Sequence, residues 1–309
     1  MRVFVTGASG WIGSAVVPEL LGAGHDVVGL ARSDGSASAL DAAGASVVRG
    51  TLDDLDVLAK TAQESDGVMH LAFKHDLAFS GDFVGAGLAD RVAVETFGNA
   101  LAGTDKPLVI ASGLLGLAQG RLATEADGHD AADMGLHGDG PSARHATAEF
   151  TLQLADRGVR SSVLRLPPTV HGRGDTGFIA SLVGLARAHG VAGYLGDGTI
   201  HWPAVHRDDA ALLFRLAVEQ APAGTTLHGA AEEGVPLGEV AAEIGRQLDL
   251  PVRAVPDAEA EDHFLWLGTF VGLDTLASSD VTRRTFGWEP TRPGLLDDLA
   301  AGRYTDDPA

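Results

Sequence analysis

An α/β fold, built on a doubly wound parallel sheet with a smaller C-terminal α/β lobe, is the class this sequence predicts. Three observations carry the prediction. Short apolar runs alternate with helical patterns as far as about residue 112, the signature of successive βαβ units. The first such unit is sharply drawn: Val3, Phe4 and Val5 form a β-branched and aromatic run, it stops at Gly7, and a helix-competent stretch follows Gly10. Finally, 309 residues that are 45% hydrophobic and 21% charged can bury one large core or two.

In order, strands are expected at Val3 to Thr6, His25 to Ala31, Ser46 to Arg49, Gly67 to Phe73 and Leu108 to Ser112. Helical patterns fill the gaps at Ile12 to Ala23, Ser36 to Ala43, Asp54 to Ala62 and about Gly87 to Ala102. Right-handed crossovers then place helices on both faces of the sheet. Residues 113 to 140 form a long loop punctuated by Gly116, Gly120, Gly128, Gly135, Gly138 and Gly140, and long loops in compact domains are commonly functional. A helix starts near Asp139, Gly140 and Pro141, since proline is tolerated in a first turn, and it runs to Arg157 before Gly158. A sixth strand, Arg160 to Leu166, ends at Pro167 and Pro168. Beyond it the alternation degrades. Helices are expected at Phe178 to His189, Asp208 to Glu219, Pro236 to Leu248 and Ala258 to Leu273. Extended pieces fall around Tyr194, His201, Thr225 to His228 and Val252 to Val255.

Charge and composition narrow the function. A net charge of −20, from 42 acidic against 22 basic residues, argues against nucleic-acid or anionic-membrane partners. There is no cysteine, which excludes disulfides, thiolate metal sites and cysteine nucleophiles. Twelve histidines occur without a His-Glu-x-x-His pattern or a tight ligand pair, and no metal is expected. The apolar start lacks a signal peptide's long apolar region, and no run reaches the roughly 18 apolar residues of a membrane span. A cytoplasmic protein with a small-molecule substrate is the expectation.

The glycines supply the first chemistry. Gly7, Gly10 and Gly13 lack Cβ atoms, so the backbone can turn sharply, admit a pyrophosphate and pack the helix close to the strand. Loop amides and the helix N-terminus then face an anion. The strand before and the helix after favour dinucleotide binding over a glycine-rich turn with no ligand.

Thr6-Gly7-Ala8-Ser9-Gly10-Trp11-Ile12-Gly13, Val68-Met69-His70-Leu71-Ala72, Leu164-Arg165-Leu166-Pro167, Val205-His206-Arg207-Asp208-Asp209 and Phe286-Gly287-Trp288-Glu289-Pro290 occur in that order. With these motifs the chain resembles, end to end, the extended short-chain dehydrogenase/reductases, the group that includes NAD-dependent epimerase/dehydratases. The resemblance implies a Rossmann-type dinucleotide domain over 1–168, with contributions from about 200–230, and a mainly substrate-binding lobe over 169–309. It also implies a homodimer formed through the helices flanking strands four and five.

The resemblance places the cofactor against Gly7, Ser9, Gly10, Trp11, Ile12 and Gly13, then Thr51 and Leu52 after strand three. Leu71, Ala72 and Phe73 after strand four, Ser112, and Pro167 with Pro168 complete its expected contacts. An acid is expected at the end of strand two to bind a ribose hydroxyl; here Arg32 and Ser33 stand there. A guanidinium can fork onto a 2′-phosphate, which favours NADP over NAD, the alternative being a solvated arginine.

The departure from the family concerns the proton donor. Its members carry a tyrosine and a lysine four apart on the helix after strand five, one face of which then holds both. The matching window, Asp139 to Glu149, has neither, and the chain's two tyrosines are Tyr194 and Tyr304. The chain thus looks like the atypical members. Candidate replacements are His145, which would titrate near neutrality and could be oriented by Glu149 four residues on, and Tyr194. Ser112 would hold the substrate oxygen, and Arg144 would act as a fixed cation for an anion or an oxyanion. Lys74, for which a solvated loop lysine is the alternative, His75, His171, Trp202 and His206 are candidate substrate contacts. Three activities remain: an NADP-linked oxidoreductase acting on a small carbonyl, imine or alcohol, a catalytically silent redox sensor, and a sugar-nucleotide epimerase or dehydratase.

Overall fold

Seven parallel strands form the central sheet of a computed structural model that describes residues 1–118, 120–129 and 141–304. Strands β1 (Arg2–Thr6), β2 (Asp26–Ala31), β3 (Ser46–Arg49), β4 (Gly67–His70) and β5 (Pro107–Gly113) alternate with helices. These are α1 (Gly13–Gly22), α2 (Asp34–Ala42), α3 (Leu55–Gln63), α4 (His75–Phe79) and α5 (Phe83–Leu101). There follow β6 (Leu122–Ala123), α6 (Pro141–Gln153), β7 (Arg160–Leu166), β8 (Thr169–His171), α7 (Phe178–His189), β9 (Ala192–Leu195) and β10 (His201–His206). Next come α8 (Arg207–Gln220), β11 (Thr225–His228), β12 (Glu232–Pro236), α9 (Leu237–Leu248) and β13 (Val252–Val255). The last elements are α10 (Ala260–Phe264), α11 (Gly268–Val271), β14 (Leu276–Ala277), α12 (Asp280–Phe286) and α13 (Leu295–Ala300).

The sheet order is β11-β7-β5-β4-β1-β2-β3, so the direction of winding reverses between β1 and β4. In folds of this type that reversal opens a crevice at the carboxyl edge of the strands. The expected Rossmann-type doubly wound class is therefore the observed one. Along β1, Val3 and Val5 join a core with Leu20, Phe214 and Trp288, while Phe4 faces the opposite core with Phe97, Leu108 and Val163. Both faces of the strand are thus buried, which is why it reads as a continuous apolar run. A separate core around Trp202, Ile179, Val240, Ile244 and Phe264 holds the C-terminal elements, which include the three-stranded sheet β12-β10-β8.

Differences from expectation have local causes. Strand β4 ends at His70 and not at Phe73, because the Ala72 amide leaves the ladder to bond the Thr6 hydroxyl. The helix expected over Ala258 to Leu273 is broken into α10 and α11 at Leu265, whose φ is +50° and whose side chain turns outward while Phe264 and Leu267 stay buried. Asp139 and Gly140, the expected helix start, lie outside the described residues, as do Gly135 and Gly138 of the loop.

Candidate active site

The glycine loop is packed as its spacing implies. Gly7 has φ +67°, and a Cβ there would lie 2.7 Å from the Ala72 nitrogen. The Gly10 amide donates to the Gly7 carbonyl at 2.9 Å. A Cβ on Gly13 would land on that same carbonyl oxygen and on the Ala8 backbone. Helix α1 starts without a side-chain cap, its N-cap being Ile12; the Ser14 amide donates to the Gly10 carbonyl and the Ala15 and Val16 amides to the Ile12 carbonyl, so an anion would meet the loop amides ahead of the helix. Ser9 is exposed beside them. Trp11 ties this loop to the C-terminal lobe: its indole N–H donates to the Val170 carbonyl at 2.8 Å, and the Arg207 guanidinium stacks 4.2 Å from its ring centre.

At the far end of the crevice, Arg32 is exposed and reaches Asp76 at 3.4 Å. Ser33 caps α2, accepting the Ser36 amide at 3.2 Å. Sequence reasoning missed Arg49, which donates to the Ser33 carbonyl and pairs with Asp34 at 2.6 Å. Its position as the last residue of β3, in register with Ala31, was the available signal. Thr51 lies in the turn before α3, donating through its amide and hydroxyl to the N-cap residue Asp54 at 2.7 and 2.8 Å, and Leu52 is buried. Lys74 is held by both oxygens of Asp53 at 2.7 Å, on this side of the crevice.

Between the two ends a buried relay sets the course of Leu71, Ala72 and Phe73. The Ala72 amide donates to Thr6 Oγ1 at 3.3 Å, Thr6 lies 2.6 Å from His70 Nδ1, and His70 Nε2 lies 3.1 Å from Asp90. A carboxylate can only accept, so Nε2 carries the proton, Nδ1 accepts from the Thr6 hydroxyl, and each of these contacts has a donor and an acceptor. Phe73 then meets the Arg144 guanidinium, 4.6 Å from its ring centre, and His75 edge-on at 5.1 Å.

Ser112, near the carboxyl end of β5, is 3% exposed and its hydroxyl oxygen has no partner. Arg144 donates to the Ala111 carbonyl at 2.7 Å, and its Nε is buried without a partner. His145 lies 3.3 Å from the Gly113 carbonyl through Nε2. Glu149 does not orient His145 but lies 3.3 Å from His129. Burial first, then the charges of Arg165 and Arg144, push His145 down to about 4, so it is neutral at pH 7 and does not titrate near neutrality as expected. Ser112, Arg165 and His228 are register partners across β5, β7 and β11. Burial lowers Arg165 to about 10, still charged at neutral pH, and burial with that cation lowers His228 to about 4.

These histidines make stability acid-sensitive. Both groups have folded pKa values below the unfolded one, so the unfolded chain binds more protons between roughly pH 6.5 and 4. Stability is full above that window and falls as pH drops through it, by up to about 3 kcal/mol for each group at 1.36 kcal/mol per unit. Urea midpoints measured from pH 7.5 to 4.5 are expected to fall, and His228→Gln should flatten the slope; a slope unaltered by that change would refute the assignment.

The remaining predicted residues sit in the lobe. Pro167 is buried and Pro168 half-buried between β7 and β8. His171 is fully buried, its Nδ1 2.8 Å from Asp298, with His206 edge-on at 5.5 Å and 3.8 Å from the same carboxylate. Trp202 is fully buried and donates to the Leu273 carbonyl at 3.2 Å, which makes it a core residue. Tyr194 lines a narrow internal cavity with Leu182, Leu237, Ile244 and Phe264, a set that contains none of Ser112, Arg144 or His145. The structure thus groups Ser112, Arg144, His145 and Phe73, and places Lys74, Trp202 and Tyr194 elsewhere.

Residues 3–82, from β1 through the glycine loop to the end of α4, match the family model for the NAD-dependent epimerase/dehydratase family. An uncharacterized protein of Schizosaccharomyces pombe is 45% identical over 305 residues, covering 98% of this chain and 100% of that one. The chain belongs to the NAD-dependent epimerase/dehydratase family. A second uncharacterized relative, from Saccharomyces cerevisiae, is 43% identical over 304 residues, 97% of this chain and 98% of that protein. Among solved structures, a double mutant of the dTDP-glucose 4,6-dehydratase DesIV of Streptomyces venezuelae with NAD bound shares the fold, with a TM-score of 0.76 at 20% identity over 99% of this chain and 98% of that one. For a member of this family, the close approach of Ala72 to Gly7, the tight packing at Gly13 and the uncapped start of α1 form a cradle that fits a dinucleotide pyrophosphate.

Proposed function

We propose that the protein is an NADP-linked oxidoreductase that moves a hydride between the nicotinamide and a small carbonyl or alcohol, with Ser112 holding the substrate oxygen. The observation that carries this reading is the Ser112 hydroxyl, buried and without a partner beside the crevice, where an unmet donor has a use. The cofactor supplies the hydride. Gly7 to Gly13 bind its pyrophosphate, and Arg32 with Arg49 flank Ser33 where a 2′-phosphate would be held. His145 is neutral at pH 7 and serves to fix the Gly113 carbonyl, so the proton reaches the substrate oxygen from water through the Ser112 hydroxyl. The exposed apolar side chains Val84, Leu88 and Val92, spaced four apart on α5, support pairing of two copies.

NADPH and NADH oxidation followed against carbonyls, imines and sugar nucleotides tests the reading. Ser112→Ala should lower kcat/KM by about 10²-fold, the usual scale for one donor to a developing oxyanion. Arg32→Ala combined with Arg49→Ala should raise the KM for NADPH by roughly tenfold or more and leave that for NADH unaltered. Equal effects on the two cofactors would remove the 2′-phosphate assignment. The redox-sensor alternative is favoured by one observation, that His145 offers no acid near neutrality. It predicts tight cofactor binding with no turnover of any substrate.

A further inference from the structure

We infer that Arg144 anchors a carboxylate on the substrate, so that the reacting carbonyl belongs to a compact oxo acid. The inference rests on the hydride-transfer reading above and specifies its substrate class. Arg144 stands apart from the other cations of the site by what surrounds it. Its guanidinium lies against the Phe73 ring, donates once to the Ala111 carbonyl, and keeps a buried Nε–H without a partner. No ion pair joins it to a described carboxylate. Asp90, the acid that acts on it, already accepts from His70. Burial works against its charge, and a buried cation without a counter-charge is costly unless something else supplies one. Arg165, by contrast, is sealed at 2% exposure with His228 beside it, whereas Arg144 keeps part of its surface open.

Position ties this cation to the reacting group. Gly7 packs on Ala72, Phe73 follows Ala72, Arg144 stacks on Phe73, and its bond to Ala111 places it one residue from Ser112. The site therefore holds an unmet guanidinium N–H on Arg144 and an unmet hydroxyl on Ser112, beside the sealed Nε of Arg165. A carboxylate joined directly to a carbonyl offers two matching acceptors, one charged and one neutral. The Asp90 carboxylate that already acts on Arg144 disfavours a phosphate dianion more than a monoanion, and a planar guanidinium matches a planar carboxylate. In the reaction, hydride adds to the carbonyl carbon of R–CO–COO⁻ and a solvent proton to its oxygen. The product is the 2-hydroxy acid, and NADPH is oxidised to NADP⁺.

Full-length protein would be assayed for NADPH oxidation with 2-oxobutanoate and with its methyl ester. Binding of oxamate, a non-reacting carboxylate analogue, would be followed by thermal shift with NADPH present. Expected are a kcat/KM at least about 100-fold higher for the acid than for the ester, a collapse of that ratio toward one in Arg144→Gln, and partial recovery in Arg144→Lys. Oxamate should stabilise the wild-type protein and not Arg144→Gln, with NADPH affinity in each variant reporting that the fold is intact. Ester reduced as well as acid, or an unchanged acid-to-ester ratio in Arg144→Gln, would overturn the carboxylate assignment and leave hydride transfer standing. If no carbonyl is turned over, the hydride-transfer reading fails. Oxamate binding that depends on Arg144 then still supports an anion pocket, and its absence overturns it.

Discussion

Gly13→Ala is expected to weaken cofactor binding severely. The added Cβ would occupy the place of the Gly7 carbonyl oxygen, which also accepts the Gly10 amide, so the loop must open and the amides proposed to hold the pyrophosphate must move with it. Because the obstacle is backbone, no rotamer change relieves it. The NADPH dissociation constant, measured by fluorescence quenching, should rise by about 100-fold or more, the scale of a few kcal/mol. Gly22→Ala in the same helix is the comparison: a Cβ there meets nothing within 4 Å, and affinity should not change. Equal affinity for Gly13→Ala and the wild type would remove the loop from the binding site.

The second large effect is expected at Asp298, far from the glycine loop in sequence and 1% exposed. This carboxylate on α13 accepts from His171 Nδ1 at 2.8 Å and has Arg303 at 3.1 Å and His206 at 3.8 Å. Asp298→Ala leaves His171 and His206 around a buried void and the more exposed Arg303 without its counter-charge, a loss of about 3 kcal/mol, while Asp298→Asn keeps an acceptor and should cost less. Urea denaturation of both variants measures this. A midpoint for Asp298→Ala within error of the wild type would show that the cluster does not hold α13.

Much of the sheet was legible because its strands are buried on both faces. Val3-Phe4-Val5 is an apolar run that stops at Gly7, and the strand holding Val163 and Leu164 ends at Pro167 and Pro168, so neither needs a partner to be recognised. The Asp298 cluster was not legible. His171 meets a carboxylate 127 residues away, on a six-residue helix whose sequence, Leu-Leu-Asp-Asp-Leu-Ala, shows no strong periodicity. In the site, the residue types at Ser112 and Arg144 could be singled out, but their unmet donors arise from three-dimensional neighbours. His145 shows the limit most clearly. Helical spacing pointed it at Glu149, whereas the face of α6 that packs on β5 turns it to the Gly113 carbonyl, and the resulting burial removes its titration from neutral pH. The expected helix through Leu265 failed for a related reason, since apolar composition alone does not reveal a reversal of φ.

One edge strand of the sheet, β11, pairs with β7 from Thr225 opposite Ser162 to His228 opposite Arg165. For a chain leaving the ribosome, this means that β7, with Val163 and Leu164 fully buried in the finished protein, has an open edge until residue 228 has emerged. Nascent chains interrupted between the two strands carry an unpaired, apolar strand edge of the kind that templates aggregation. The order of translation therefore imposes a waiting period on folding, during which the first six strands of the sheet depend on a segment not yet made.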